Sequence, residues 1–296
     1  MKFPPEDFEQ LRQLVIKIRQ GEIALTIGKK TLSALEAMML EPEMVAMVNI
    51  VELAQKLKLS PASLTRLSKL LGFHGFISFQ RIFKQKSQST GHFYSNKIKQ
   101  LMANKEQPIK EQFSQQLHTV VDDMQLLLAS IKSEDLARAK FLLANKNRVF
   151  IFGYRQSSAI ASILRYGLAL LRPNVQMLVQ ADHGAAVALG QLKKGDLLVV
   201  IGSSPYSNIT VNVAAIAKKQ HCQIIAITDS PLSPLNDFAE VAIHVPTSAA
   251  FYTNSLVASC FFVEGLLNLT AIELGQSALQ NIQQHEKLLA QLGVGH

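Results

Sequence analysis

Three short segments of the chain gather hydroxyl groups at points where the backbone turns. They are Gly153-Tyr154-Arg155-Gln156-Ser157-Ser158, Gly202-Ser203-Ser204-Pro205-Tyr206-Ser207-Asn208 and Thr228-Asp229-Ser230-Pro231. Each follows a short apolar run. Loops that lead into helices expose backbone N–H groups and the positive end of a helix dipole, and Ser and Thr add further donors. The chemistry such loops suit is capture of a small anion. A single serine there would serve equally well as a helix cap, but three converging loops predict a ligand pocket. Arg155, Ser157, Ser203, Ser204, Ser207, Thr228 and Ser230 are its candidate residues, and Arg155 could add a bidentate charged contact.

A second constellation lies upstream. Ser60 is suited to cap a helix and Pro61 to its first position, after which Leu64, Leu67 and Leu70 recur on one side. The other side carries Ala62, Ser63, Thr65, Arg66, Ser68 and Lys69. A helix that reads the major groove needs small or hydrogen-bonding side chains near its N-terminus and a cation within reach of a guanine or a phosphate. Ser60, Ala62, Ser63, Thr65, Arg66 and Lys69 therefore form a candidate DNA-contacting set, with Lys56 and Lys58 near phosphates. Charge points the same way. Residues 1–110 hold 17 basic and 9 acidic side chains, whereas residues 111–296 hold 13 of each, so the whole excess of +8 lies in the first part. A basic module for a polyanion, joined to a neutral one, fits that split.

The elements that must position these residues follow from hydrophobic period. Helical spacing covers residues 6–20, 28–40 and 43–47, then 50–57 and the helix opened by Ser60. Residues 81–105, rich in Lys, Gln and Ser, read as a helix end and a linker. Helices follow over 109–131 and from Ser133, an expected cap, to 144. From Arg148 the pattern alternates: apolar runs at 149–152, 175–178, 196–201, 223–227 and 241–245 are separated by helices at 157–171, 183–189 and 208–219, with a last long helix over 254–274. Strands that are apolar on every residue, joined by helical crossovers, make a parallel sheet covered on both faces.

Two strings carry a specific resemblance. The first is Ile50-Val51-Glu52-Leu53-Ala54, Leu59-Ser60-Pro61-Ala62-Ser63-Leu64-Thr65-Arg66 and Lys69-Leu70-Leu71-Gly72-Phe73-His74-Gly75-Phe76, preceded by Leu40-Glu41-Pro42-Glu43. It resembles the N-terminal domain of the RpiR family of bacterial transcriptional regulators. The second runs from Arg148 to Leu269 and resembles the SIS (sugar isomerase) domain of that family, with Gly195-Asp196 to Ile201 and Ile225 to Leu235 fitting closely. The resemblance implies an all-α helix-turn-helix domain, winged or plain, followed by an α/β domain with a five-stranded parallel sheet and helices on both faces. It implies operator DNA as partner, a homodimer or homotetramer, and a phosphosugar effector. Ser157 matches the family's phosphate-binding serine, and Ser204 and Ser207 match hydroxyls of its second loop. Two departures stand out: Arg155 replaces a small residue, and Gly202 and Pro205 replace the serine and glycine of the family's second loop. The expected domains are 1–86 for DNA binding, 87–130 as linker and connecting helix, 131–275 as effector domain and 276–296 as a tail helix.

Other classes are disfavoured. Hydrophobic residues make up 48% and charged residues 18%, which suits packed cores rather than disorder. Cys222 and Cys260 have no metal-ligand spacing and no disulfide framework, so neither a metal nor a cofactor is expected. The charged start Met1 to Asp7 has no apolar run, and the apolar stretch 255–269 is too short to span a bilayer. A cytoplasmic regulator without membrane contact is expected. Ser157, Asp182 and His183 could be imagined as a nucleophilic triad, but sequence neighbours seldom face one another, and no nucleophile elbow or phosphate-binding loop motif occurs. Glu264 could be the acid of an isomerase. The competing reading is thus a phosphosugar isomerase whose helical N-terminus is a dimerisation arm.

Overall fold

Local signals place the first helices. Asp7 Oδ1 accepts from the Gln10 amide at 2.8 Å and caps α1 (Phe8–Arg19). α2 (Lys29–Leu40) ends at Glu41 because Pro42 opens α3 (Pro42–Met47). Asn49 Oδ1 accepts two amides, both at 3.0 Å, and starts α4 (Ile50–Lys56). Ser60 Oγ accepts from the Ser63 amide at 3.2 Å and starts α5 (Pro61–Leu70). Two further helices follow, α6 (Phe76–Thr90) and α7 (Phe93–Ala103). In this computed structural model the described residues are 4–23, 25–90, 93–103, 105–178, 184–247 and 251–294, with backbone alone for 87–90, 93, 96, 100 and 103. They form two units, residues up to 103 and residues from 104.

The first unit is helical and closes on a core of Leu53, Leu64, Leu67 and Leu71, with Phe8, Phe73, Phe79 and Phe83 meeting edge to face at centroid distances of 5.0 to 5.6 Å. Gln80 Nε2 donates to the carbonyls of Val45 (2.9 Å) and Val48 (2.7 Å), satisfying the end of α3. Two sequence expectations are corrected here. The stretch 81–105 is mostly helix: Ile82 and Phe83 are buried, so the apolar period runs on, and Lys and Gln continue a helix readily. Ser68 is fully buried, its Oγ donating to the Leu64 carbonyl at 2.9 Å, and leaves the exposed face.

The second unit begins with α8 (Ile109–Ser130) and α9 (Ser133–Asn145). Lys132, not Ser133, occupies the cap position of α9, and Ser133 is its first helical residue. There follow β1 (Val149–Gly153), α10 (Ser157–Leu171), β2 (Val175–Met177), α11 (Ala185–Gly190), β3 (Leu197–Ile201), α12 (Asn208–Lys219), β4 (Gln223–Thr228), a 3-10 turn (Pro234–Asp237), β5 (Val241–His244), α13 (Val257–Leu274) and α14 (Gln276–Gln291). All strand pairs are parallel, in the order β2-β1-β3-β4-β5. Val149, Ile151, Val199, Ile225 and Ile243 pack on one face with residues of α8, α9, α10 and α13. Phe150, Phe152, Leu198, Val200, Ile224 and Ala226 pack on the other with α11 and α12. Two covered faces explain why the strands lack alternation. The residues expected as linker and connecting helix are shared between the units, since Leu127 of α8 is buried in the core of the second.

The apolar stretch expected to end at Leu269 runs on to Leu274. At 18 residues with mean hydropathy 1.5, α13 is long and apolar enough to cross a membrane by length and composition. Here it packs against α8, α9 and α10, with Phe262, Val263 and Leu266 in the sheet core.

Ion pairs join strand to strand and helix to sheet. Arg148 and Asp196 form a bidentate pair at the amino ends of β1 and β3. Arg138 of α9 pairs with Glu240 beside β5, and Gln223 Nε2 donates to the same carboxylate at 2.5 Å. Partial burial raises the Glu240 pKa, but hydrogen bonds from Arg138 and Gln223 and the Arg138 charge outweigh it, leaving the pKa below the ordinary carboxylate value. A depressed carboxylate pKa gives stability that is present above the unfolded value and lost as pH falls through the folded one. Glu240→Gln is therefore expected to lower the melting temperature at pH 7 and to flatten its decline below about pH 4.3, the unfolded value. A decline identical to that of the wild type in a calorimetric pH series would contradict this role.

Candidate functional site

In an open parallel sheet, ligands bind beyond the carboxyl ends of the strands where the strand order reverses. Here β2 lies on one side of β1 and β3 on the other, so the reversal falls between β1 and β3. The loops after these strands are the first two hydroxyl-rich segments. Gly153 permits the first to turn: a Cβ there would lie 2.3 Å from the Ser157 carbonyl oxygen. Gly153→Ala is expected to cost roughly 1–3 kcal/mol and to displace the start of α10. Thermal melts with and without ligand would check it, and an unchanged melting temperature would refute the close approach.

A cavity of about 20 Å³ lies at the strand ends. Ser157, Gly202, Ser203, Thr228, Thr247 and Ser259 line its polar side, with Ile160, Ile201, Ile227, Val245 and Leu256 beneath. Of the sequence-predicted residues, Ser157, Ser203 and Thr228 thus meet at one point. Thr228 is 3% exposed and its Oγ1 donates to Ser233 Oγ at 2.7 Å. Ser204 sits in the second loop, where its carbonyl accepts from Asn254 Nδ2 at 2.7 Å. Ser207 occupies the cap position of α12, although its hydroxyl makes no capping bond.

Ser204 and Ser207 do not line the cavity, and two further expected residues also stand apart from it. Ser230 is 1% exposed and its Oγ accepts from the Leu232 amide at 3.1 Å, so it shapes the turn after β4. Arg155 is exposed with φ of 55°, and its carbonyl accepts the Ser158 hydroxyl at 2.6 Å. The first loop also differs in what it offers an anion. The amides of Ser157, Ser158 and Ala159 donate to the carbonyls of Tyr154, Arg155 and Gln156 at 3.1 to 3.2 Å. Ser157 is thus the hydroxyl-bearing residue of this loop at the cavity, and these three amides are taken up within the loop. Glu264 is exposed and does not line it, while Asp182 and His183 lie outside the described residues.

Residues that the sequence reading missed hold the loops together. Gln156 Nε2 donates to Thr253 Oγ1 (3.1 Å) and to the Asn254 carbonyl (2.6 Å). Asn254 Nδ2 also donates to Ser203 Oγ at 3.1 Å. Tyr206 donates to Asp229 Oδ1 at 2.6 Å, joining the second loop to the third. The available signal was Thr253-Asn254-Ser255, a polar triplet ahead of an apolar helix, which follows the same grammar as the three loops.

In the first unit, α4 and α5 are joined by the four residues Leu57 to Ser60, with Lys58 in the left-handed region (φ 54°). Ala62, Arg66 and Lys69 are exposed on α5, together with Ser60 at its cap, while Ser63 and Thr65 are half-buried. Ser63 and Ser60 share a hydroxyl bond of 2.9 Å, and Thr65 Oγ1 donates to the Pro61 carbonyl at 3.1 Å. Ser60, Ala62, Ser63 and Thr65 therefore cluster at the start of α5, Arg66 follows one turn on, and Lys69 lies in its last turn.

This sheet order and loop-built site define the class: residues 142–269 match the SIS domain family. Along the longer chain, the similarity is to transcriptional regulators. A helix-turn-helix-type regulator of Haemophilus influenzae is 22% identical over 75% of this chain and 77% of its own length. The regulator RpiR of Escherichia coli is 24% identical over 67% of this chain and 64% of its own. Among solved structures, the sugar isomerase domain of an RpiR transcription factor from Sphaerobacter thermophilus matches with TM-score 0.55 and 22% identity, covering 59% of this chain and 97% of that one. Vibrio vulnificus NanR, solved with ManNAc-6P, matches with TM-score 0.55 and 19% identity over 94% of this chain and 98% of its own. The structural likenesses bear out the fold, a helical region followed by an SIS-type sheet. The sequence likenesses bear out the resemblance to RpiR-type regulators, and these named relatives are regulators rather than enzymes.

Proposed function

We propose that the chain is a cytoplasmic, ligand-responsive transcriptional regulator that binds a palindromic DNA operator as a homodimer or homotetramer. α5 enters the major groove: Arg66 and Ala62 face base edges, Ser60, Ser63 and Thr65 flank them, and Lys69 meets a phosphate. The effector is a small anion, of which a phosphosugar is the best match, bound between the loops after β1 and β3 by Ser157, Ser203, Ser204 and Ser207. Thr228 floors the site and Arg155 meets the anion at its mouth. The observation that carries this reading is the convergence of Ser157, Ser203 and Thr228 on one cavity at the switch point. It is supported by the relatives' role as regulators and by the ManNAc-6P bound to NanR.

A ligand controls DNA affinity only as far as it binds two arrangements unequally. The test is a thermal-shift screen of sugar phosphates and small organic acids on the full chain, followed by DNA binding with and without each hit. One phosphosugar should raise the melting temperature and change operator affinity, without being turned over. Turnover would establish the isomerase reading instead. Melting shifts with no change in DNA affinity would remove the regulatory role.

A further inference from the structure

The cavity at the switch point has room for about one water molecule, far less than a sugar phosphate requires. For a ligand of that size to be enclosed at this point, the loops after β1 and β3 must separate. Among the described residues, bonds from both loops meet on one segment, Thr253 and Asn254. Gln156, from the first loop, donates to Thr253 Oγ1 and the Asn254 carbonyl. Asn254 donates to Ser203 Oγ and the Ser204 carbonyl in the second. Two residues further on, Leu256 lines the cavity and occupies the cap position of α13, and Ser259 in its first turn lines the cavity as well. α13 packs against α8 and α9.

We propose that Gln156 and Asn254 form a clip that closes the effector cavity, and that ligand entry opens it and shifts the start of α13. The clip rests on the effector reading above and names the residues that regulate that same site. Asn254 is a positioning residue: it holds Ser203 and Ser204 rather than the ligand. Opening the clip removes hydrogen bonds at both loops at once, so the loops separate together. Displacement of residues 253–256 passes directly into α13 and from it to α8, the first helix after the division between the units. The clip works against ligand binding, and this opposition is what couples an occupied cavity to the helices.

The test uses the full chain with Asn254→Ala and, separately, Gln156→Ala, with thermal melts reporting folding. In the absence of ligand, hydrogen exchange should quicken in both variants at residues 154–158, 203–206 and 253–259 together, while residues 29–80 keep wild-type rates. Faster exchange confined to the loop that carries the substitution would overturn the clip. With ManNAc-6P as probe, each variant should bind about tenfold more tightly than the wild type, one or two hydrogen bonds no longer having to be broken. The ratio of DNA affinities with and without saturating probe should fall toward one. Weaker binding by both variants would make Gln156 and Asn254 direct ligand contacts and overturn the proposal. If the wild type binds neither ManNAc-6P nor any other sugar phosphate, the effector reading fails, and the exchange rates alone decide whether the clip exists.

Discussion

Replacing Arg172 with leucine is expected to lower the stability of the second unit by about 3 kcal/mol, the cost of breaking a buried charged network. The side chain is 9% exposed and lies at the end of α10. Its guanidinium donates to the carbonyls of Leu143 (2.6 Å), Ala144 (2.9 Å), Asn147 (3.1 Å) and Pro173 (3.3 Å), and also to that of Lys146. Apart from Pro173, which follows α10, these are the last carbonyls of α9 and the turn into β1, which have no helical partner of their own. The positive charge is also favourably placed at the negative end of the α9 dipole. Burial lowers the Arg172 pKa from its ordinary value. Leucine would leave several carbonyls both unpaired and shielded from water. For a unit of this size the melting temperature should fall by about 6–12 °C. Calorimetry resolves it, and a loss under about 1 kcal/mol would mean that water replaces the guanidinium.

The second large effect concerns DNA. Arg66→Ala is expected to weaken operator binding by about 1–3 kcal/mol while leaving binding to unrelated duplexes nearly unchanged. Arg66 is exposed one turn beyond Ala62, whose small side chain would let the backbone approach the groove in the proposed docking. Lys69→Ala should act differently, weakening every duplex alike and lowering the salt dependence by about one unit of log–log slope. Titrations of operator and scrambled duplexes at several salt concentrations separate the two. Equal loss on both duplexes for Arg66→Ala would reduce that residue to a phosphate contact.

Much of this architecture is legible in the residues, for identifiable reasons. α10 and α12 have the bounds that their apolar period predicts, because each begins at a hydroxyl-rich loop and buries one continuous stripe. The strands are readable because two covered faces leave no place for polar alternation. Residues 81–105 misled because a polar helix and a polar linker have the same composition, and only Ile82 and Phe83 betrayed the difference. At the site, loop position revealed Ser157 and Ser203. Thr247 and Ser259 come from elements distant in sequence, and no local pattern indicates that a fold will bring them to the same point. Ser230 shows the converse limit: its hydroxyl-rich neighbourhood suggested a ligand, but the tight turn before Leu232 takes that hydroxyl for itself.

The helices on the two faces of the sheet differ in extent. Among the described residues, Phe150, Phe152, Leu198 and Val200 rest on the single long helix α12 and on α11, which has only six residues, whereas the opposite face carries α8, α9, α10 and α13. Protection in a protein follows the apolar contact that must be given up to expose a bond. Transient breathing of this unit should therefore begin on its thinly roofed side, with α11 peeling away before the buried strands loosen.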